Sequence, residues 1–294
     1  MFNLYFAGSY SPVEDLLRQL NCRRLFSQFN DRSGVKKWIE DWDKTGKEHT
    51  IFIDSGAYTA RTKGVEIDLD KYIEYLNENK GRFAVIAPLD VIPDESKESQ
   101  IAAPEKSWQN YLIMKERVID SDKVIPAFHM GEDFKYLQQI LDSNVEYMAM
   151  GGMVGSTTKA KIHWYEKCFR VIQQSKNPNI KIHAFGVTCL PLLETYPFYS
   201  SDSTSWLLSA SMGNLLTSNG TLYVGTDYNK PNHIKRYPVA VEDIIKANCK
   251  HYSLDYYKLE EDYKEREKYN VCYLQEWANN YKFKGTRSYR RTLF

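Results

Sequence analysis

Eight short runs rich in β-branched and aromatic residues, at 3–7, 24–28, 50–53, 83–89, 124–128, 146–150, 181–185 and 198–201, set the main constraint on this chain. Between them lie amphipathic patterns of helical period, at 12–20, 35–43, 69–77, 107–118, 133–141 and 163–174, the first opening on the cap pair Ser11 and Pro12. Strand and helix units alternating at this length imply parallel strands joined by crossovers. An eightfold series closes most naturally into a (β/α)8 TIM barrel. The rival is a doubly wound sheet, and no glycine-rich dinucleotide turn follows the first run to support it. After the eighth run the pattern changes. SNGTLYVG (218–225) reads as a turn and an extended piece, and 241–270 is helical and heavily charged. The expectation is an α/β protein: a barrel over 1–215 and a mostly helical C-terminal extension over 216–294, packed on the barrel rather than folded apart from it.

Composition narrows the function classes. With 43% hydrophobic and 14% aromatic residues among 294, a sizeable core is available and global disorder is excluded. The 39 Lys and Arg balance 38 Asp and Glu, so affinity for an anionic polymer has to come from local clustering. Five scattered cysteines give no disulfide framework, and the N-terminus lacks a cationic region followed by an apolar signal core. These features point to the cytoplasm. Apolar stretches are strand-length and interrupted by charge, far short of the ~20 residues of a membrane span.

In a parallel barrel the chemistry sits at the carboxyl ends of the strands. That position selects Asp54, Ser55, Gly56 and Tyr58, then Asp90, His129, Gly151 with Gly152, Phe185 with Gly186, and Asp202. Asp54 ends an apolar run and precedes small residues that let a substrate approach, although an Asp there also suits a turn. Asp90 closes a long apolar segment, and a buried carboxylate has to be paired or used. Asp202 lies in Ser-Ser-Asp-Ser-Thr-Ser, where local sequence fits a helix cap as well as a nucleophile. His129 fits a base, a metal ligand or a hydrogen-bond reader, with no second His or Cys near it to favour metal. Gly151 and Gly152 offer bare backbone. Tyr58 and Phe185 suit rim packing and ligand stacking alike.

Taken in order, these segments resemble the guanine transglycosylase superfamily, enzymes that exchange guanine for a 7-deazaguanine base in tRNA or DNA. The family's Asp-Ser-Gly-Gly-Phe is similar to Asp54-Ser55-Gly56-Ala57-Tyr58, its base-reading Asp to Asp90, its Gly-Gly pair to Gly151-Gly152, and its Met-Gly-Val-Gly to Phe185-Gly186-Val187. The nucleophilic Asp then falls on Asp202. The likeness covers about residues 50 to 220. Three departures stand out. Pro-Thr-Arg after the nucleophile is replaced by Ser203-Thr204-Ser205-Trp206, a glutamine reader by His129, and the zinc ligands by at most Cys249, His251 and Cys272, one short of a closed tetrahedral site. Small size and these losses make the chain most similar to the phage and bacterial 7-deazaguanine DNA transglycosylases.

The resemblance implies a double displacement at C1′ with Asp202 as nucleophile and Asp54 as proton shuttle. It further implies that Asp90 reads the guanine-like edge, that Gly152 and His129 meet O6, and that Tyr58 and Phe185 sandwich the ring. No cofactor is consumed, and the partners implied are DNA, in preference to tRNA, and a 7-deazaguanine base. The basic segment 282–294 (KFKGTRSYRRTLF) suits phosphate contact or a solvated tail. Two other readings stand beside this one: a barrel hydrolase of nucleosides or glycosides using Asp54 and Asp202, and a non-catalytic nucleic-acid-binding relative.

Overall fold

A computed structural model of the protein describes residues 1–153, 155–218 and 220–285. Its first part alternates strand and helix: β1 Asn3–Ala7, α1 Glu14–Gln19, β2 Arg23–Ser27, α2 Arg32–Thr45, β3 Ile51–Asp54, α3 Ala57–Thr62, α4 Leu69–Glu78, β4 Val85–Ile86 and α5 Lys97–Arg117. It continues with β5 Ala127–His129, α6 Phe134–Asp142, β6 Tyr147–Gly151, α7 Thr158–Gln174, β7 Lys181–Ala184, α8 Leu190–Thr195, β8 Ser200–Ser203 and α9 Ser205–Ser211. A hairpin, β9 Asn214–Thr217 with β10 Gly220–Tyr223, and two helices, α10 Val239–His251 and α11 Tyr263–Asn279, complete the described chain.

The eight strands form one all-parallel sheet in the order β4-β3-β2-β1-β8-β7-β6-β5. First and last strands in sequence are therefore neighbours, and the sheet is strongly curled. Its outer edges approach where β4 meets the segment leading into β5, at an isolated parallel bridge between Ile86 and Val124, with the Ile125 N–H donating to the Ile86 carbonyl at 3.1 Å.

Period-two alternation sorts each strand's side chains. One set, including Leu4, Phe6, Phe26, Ile51, Ile53, Met148, Met150 and Ile182, packs under the helices. The other faces the inside of the curl, where Tyr5, Phe52, Ile125 and Phe185 mix with Ala7, Ala87, Ala127 and Ala149. Small residues there leave the rings room to interdigitate.

All eight runs become strands, displaced by at most a few residues at their ends. The helices differ more. α1 starts at Glu14 rather than Pro12, and Ser11 is not its cap. The Ser11 hydroxyl accepts from Val13 N–H at 3.2 Å and donates to Glu267 at 2.6 Å, so it ties the loop to α11. α5 begins at Lys97, ten residues before its periodic pattern, because Pro104 and a run without an apolar stripe hide its first half. The charged stretch 241–270 is two helices rather than one, and Asp262 caps the second by accepting from Lys264 N–H.

Under the sheet a buried ion pair holds the first loop. Arg24 donates to Glu14 at 2.8 and 3.2 Å and to the Gly8 carbonyl at 3.0 Å, with a further bond to the Phe6 carbonyl. Glu14 also accepts from the Trp38 indole at 2.8 Å, and the guanidinium lies over the Phe26 ring. Removing one partner strands the other charge in a dry environment. Arg24→Ala therefore lowers folding stability by about 3–5 kcal/mol in urea titration, whereas replacing an exposed pair such as Arg117–Asp70 changes it by less than about 1 kcal/mol.

Residues of α11 belong to the main core: Val271, Leu274 and Ala278 are buried in it, and the Phe2 N–H donates to the Ala278 carbonyl at 2.8 Å. A second cluster joins Leu215 and Leu222 of the hairpin to Ile245, Cys249, Leu259 and Tyr269. Of the basic segment, Thr286 to Phe294 lie outside the described residues, and Lys284 is engaged with Glu194 at 2.6 Å. Among the described residues no helix is long and apolar enough to cross a membrane.

Candidate active site

Inward-facing positions at the carboxyl ends of the strands bring Asp54 (β3), His129 (β5), Gly151 (β6) and Asp202 (β8) to one end of the sheet, with Phe185 just past β7 and Asp90 just past β4. Each is placed by different local chemistry.

Asp54 ends β3, and its carboxylate accepts the Gly56 N–H at 3.0 Å. Gly56 sits at φ +80°, and a Cβ there would lie 2.3 Å from Ser27 Oγ and 2.6 Å from Phe29 Cβ. Its smallness is thus demanded by packing against β2 and the loop that follows it. Burial pushes the Asp54 carboxyl up to about 7, the Gly56 N–H opposes the rise, and the negative charges of Asp90 and Asp202 add to it. Asp54 consequently changes protonation near neutral pH.

Asp90 stands four residues beyond β4 on a segment fixed by side chains from the helices. Tyr72 of α4 donates to the Ala87 carbonyl at 3.0 Å, Asn110 of α5 to the Leu89 carbonyl at 2.8 Å, and the Val91 N–H donates to Ser107 at 2.8 Å. One carboxylate oxygen, Oδ2, lies 3.3 Å from His129 Nε2. The other, Oδ1, is buried without a protein partner. A buried acceptor left without a donor costs free energy, which makes it the natural place for a ligand N–H.

His129 is clamped. Its Nδ1 lies 3.1 Å from Glu132 Oε1, the same carboxylate accepts the His129 N–H at 3.0 Å, and Nε2 faces Asp90. Burial opposes the charged ring, but Asp90 and Glu132 together raise the His129 pKa well above its ordinary value. Both nitrogens are thereby occupied, and a ligand oxygen would gain an N–H from this ring only by displacing a carboxylate.

Asp202, on β8, is buried and held on one oxygen. Its Oδ1 accepts the Gly186 N–H at 2.7 Å and lies 3.2 Å from His183 Nε2. Gly186 adopts φ +64°, the conformation that turns its N–H back toward β8.

The remaining residues divide. Gly151 packs against His129 and Phe185: a Cβ on it would fall 3.0 Å from the imidazole and 3.5 Å from the Phe185 ring. Gly152 is exposed at φ +76°, and a Cβ there would fall 2.9 Å from Met130 N. Phe185 belongs to the interior aromatic set, 5.7 Å from Phe52. Ser55 is buried, its carbonyl accepting from Gln28 at 3.1 Å. Tyr58 is 54% exposed on α3, free to cover a ligand. Trp206 is fully buried and donates to the Ala7 carbonyl at 2.9 Å, so it is a core residue.

Sequence reasoning passed over His183, Glu132, Ser200 and Tyr147. The signal for His183 was present, two residues before Phe185 and so on the same strand face. Glu132 was three residues beyond His129. Nothing local pointed to Ser200 or Tyr147. Cys249 and Cys272 are buried, whereas His251 is exposed beside Glu276, and no group of three or more His, Cys, Asp or Glu among the described residues is placed to hold a metal ion. The three residues do not fit a zinc site.

No family model matches this chain, and no curated protein is similar to it. Among solved structures, a protein from Aquifex aeolicus VF5, described as the subject of a structural study, is similar at 12% identity with a TM-score of 0.38, over 70% of this chain and 84% of its own. A likeness of that strength lends this chain no function.

Proposed function

We propose that the protein exchanges a guanine-type base in a nucleic acid, DNA in preference to tRNA, for a 7-deazaguanine base such as 7-cyano-7-deazaguanine. The observation that carries this reading is three carboxylates at one end of a parallel sheet in three different settings. Asp202 is held by N–H donors, Asp54 is raised to about 7, and Asp90 keeps one buried oxygen without a partner. Environments that push neighbouring acids apart assign them different tasks. Replacing a base at C1′ with retained configuration takes two displacements, so Asp202 attacks first and is displaced second. Asp54 gives its proton to the departing base and takes one from the incoming base. Asp90 Oδ1 accepts an N–H from a guanine-like edge, a donor that adenine lacks at that position, and the unpaired alternative rejects the wrong base. Phe185 and Tyr58 flank the ring, and Gly152 offers backbone toward O6. The sheet serves as a closed (β/α)8 barrel, a reading supported by the bridge between Ile86 and Val124.

Preference for DNA rests on the departure at 203–206, where Ser203-Thr204-Ser205 stands in place of the Pro-Thr-Arg of the tRNA enzymes and is followed by a buried Trp206. The decisive measurement incubates the protein with duplex DNA, single-stranded DNA or tRNA and 7-cyano-7-deazaguanine, then identifies nucleosides by mass spectrometry. The deazaguanine nucleoside is expected in DNA. Release of free base without an incoming base would replace this reading with a hydrolase, and absence of both products would leave a binding protein.

A further inference from the structure

Asp202 is gripped on a single oxygen, and the grip continues inward. His183 lies beside Ser200 in the register of β7 with β8. Its Nε2 faces Asp202 Oδ1 at 3.2 Å and its Nδ1 faces Ser200 Oγ at 2.6 Å, while Ser200 Oγ is 2.5 Å from the hydroxyl of Tyr147 on β6. His183 and Ser200 are both at 0% exposure. Aromatic rings of Phe52, Phe185 and Tyr5 enclose the imidazole at 4.7, 4.7 and 5.9 Å between centroids. A polar column of this kind inside an otherwise apolar curl is costly unless every member is satisfied.

We propose that Tyr147, Ser200 and His183 form a positioning column that fixes Oδ1 of Asp202 as the held oxygen and leaves Oδ2 as the attacking one. This inference rests on Asp202 being the nucleophile. Hydrogen positions follow from what each group can do. An ionised carboxylate only accepts, so His183 carries its hydrogen on Nε2; the bare Nδ1 then accepts from Ser200, and Ser200 accepts from Tyr147. Every hydrogen points toward Asp202, and each bond polarises the next.

The chemistry gives the column its use. In the first displacement an Oδ2 lone pair forms the bond to C1′ as the C1′–N9 bond breaks. The base leaves with that electron pair and the proton from Asp54. Asp202 is now a neutral ester and Asp54 a carboxylate. In the second displacement the incoming base gives its proton to Asp54, its nitrogen bonds C1′, and the C1′–Oδ2 electron pair returns to Asp202. Negative charge reappears on the carboxylate, shared with Oδ1, where the Gly186 and His183 N–H groups already point. Donors fixed there stabilise the departing carboxylate and slow its initial attack. Their loss therefore burdens the second displacement more than the first.

The test uses the full chain and two substitutions of similar bulk. His183→Phe keeps a ring without a donor, and His183→Gln keeps an N–H within reach of Oδ1. Removing one donor of this type costs about 10²–10³-fold in rate. We expect His183→Phe to lower exchange by about 10²-fold, with the covalent DNA adduct accumulating on denaturing gels, and His183→Gln to restore the rate to within about tenfold. Equal losses in both variants without adduct would overturn the proposal. Imidazole 15N spectra provide a readout independent of catalysis. His183 is expected with hydrogen on Nε2 only, and Ser200→Ala is expected to move its Nδ1 signal. A hydrogen on Nδ1, or no response to Ser200→Ala, would overturn the column. If the wild type exchanges no base, the proposed function fails while the spectra still decide the column.

Discussion

Asp202→Asn is expected to lower base exchange by at least about 10⁴-fold and to abolish the covalent adduct, while unfolding in urea changes little. An amide is nearly isosteric with the carboxylate, and its oxygen can still accept the Gly186 N–H that Oδ1 accepts now at 2.7 Å. The fold is spared because the side chain keeps its shape and its strongest bond. Chemistry is not spared, because an amide oxygen is a poor nucleophile and no other carboxylate is held in the same way. Losses of this size follow removal of a covalent nucleophile, when only binding and electrostatic stabilisation remain. Exchange within tenfold of wild type, read by nucleoside mass spectrometry, would eliminate Asp202 as the nucleophile.

Asp54→Asn is expected to act in two opposite directions. Exchange falls by about 10³-fold, the scale of a lost general acid and base. Stability rises, and it rises only at higher pH. The Asp54 carboxyl is raised from its ordinary 3.8 to about 7 in the folded protein, mainly by burial. Between those values the folded protein binds a proton that the unfolded chain has released, so its stability falls as pH climbs from about 4 to about 7 and is lowest above that window. A rise of that size corresponds to roughly 4 kcal/mol at full effect. Asn carries no such charge. The variant should therefore be more stable than wild type at pH 8 by up to about 4 kcal/mol, with the gap closing toward pH 4. Urea titrations at both values decide it, and a gap independent of pH would show that Asp54 is not held near neutrality. Wild-type exchange should peak near pH 7, since Asp54 has to give a proton in one displacement and take one in the other. A residue that weakens the fold while enabling the chemistry is the usual signature of a catalytic site.

The sequence was most legible where one period settles the matter. Eight β-rich runs separated by helical patterns announced a parallel sheet before any contact was known, and their carboxyl ends picked out Asp54, Asp90 and Asp202, whereas His183, two residues before Phe185, went unread. Helix α5 was half hidden because Pro104 interrupts its pattern, although the buried proline sits within the helix. The buried pair of Arg24 and Glu14 was invisible for another reason: each looks like a surface charge, and only the packing of α1 beneath β2 makes them partners.

The sequence by itself determined which residues end strands and which face of each strand they occupy, because both follow from short-range steric and solvation preferences. Only the tertiary structure decided which of those residues meet. Parallel register set Ser200 beside His183, and the curl of the sheet carried Tyr147 of β6 to within hydrogen-bond reach of Ser200 and His129 of β5 to Asp90. Such contacts join segments tens of residues apart, and their geometry depends on strand pairing and sheet twist summed over the whole sheet. No local pattern encodes that sum, so the acids at the strand ends could be read from the sequence and the column that holds one of them could not.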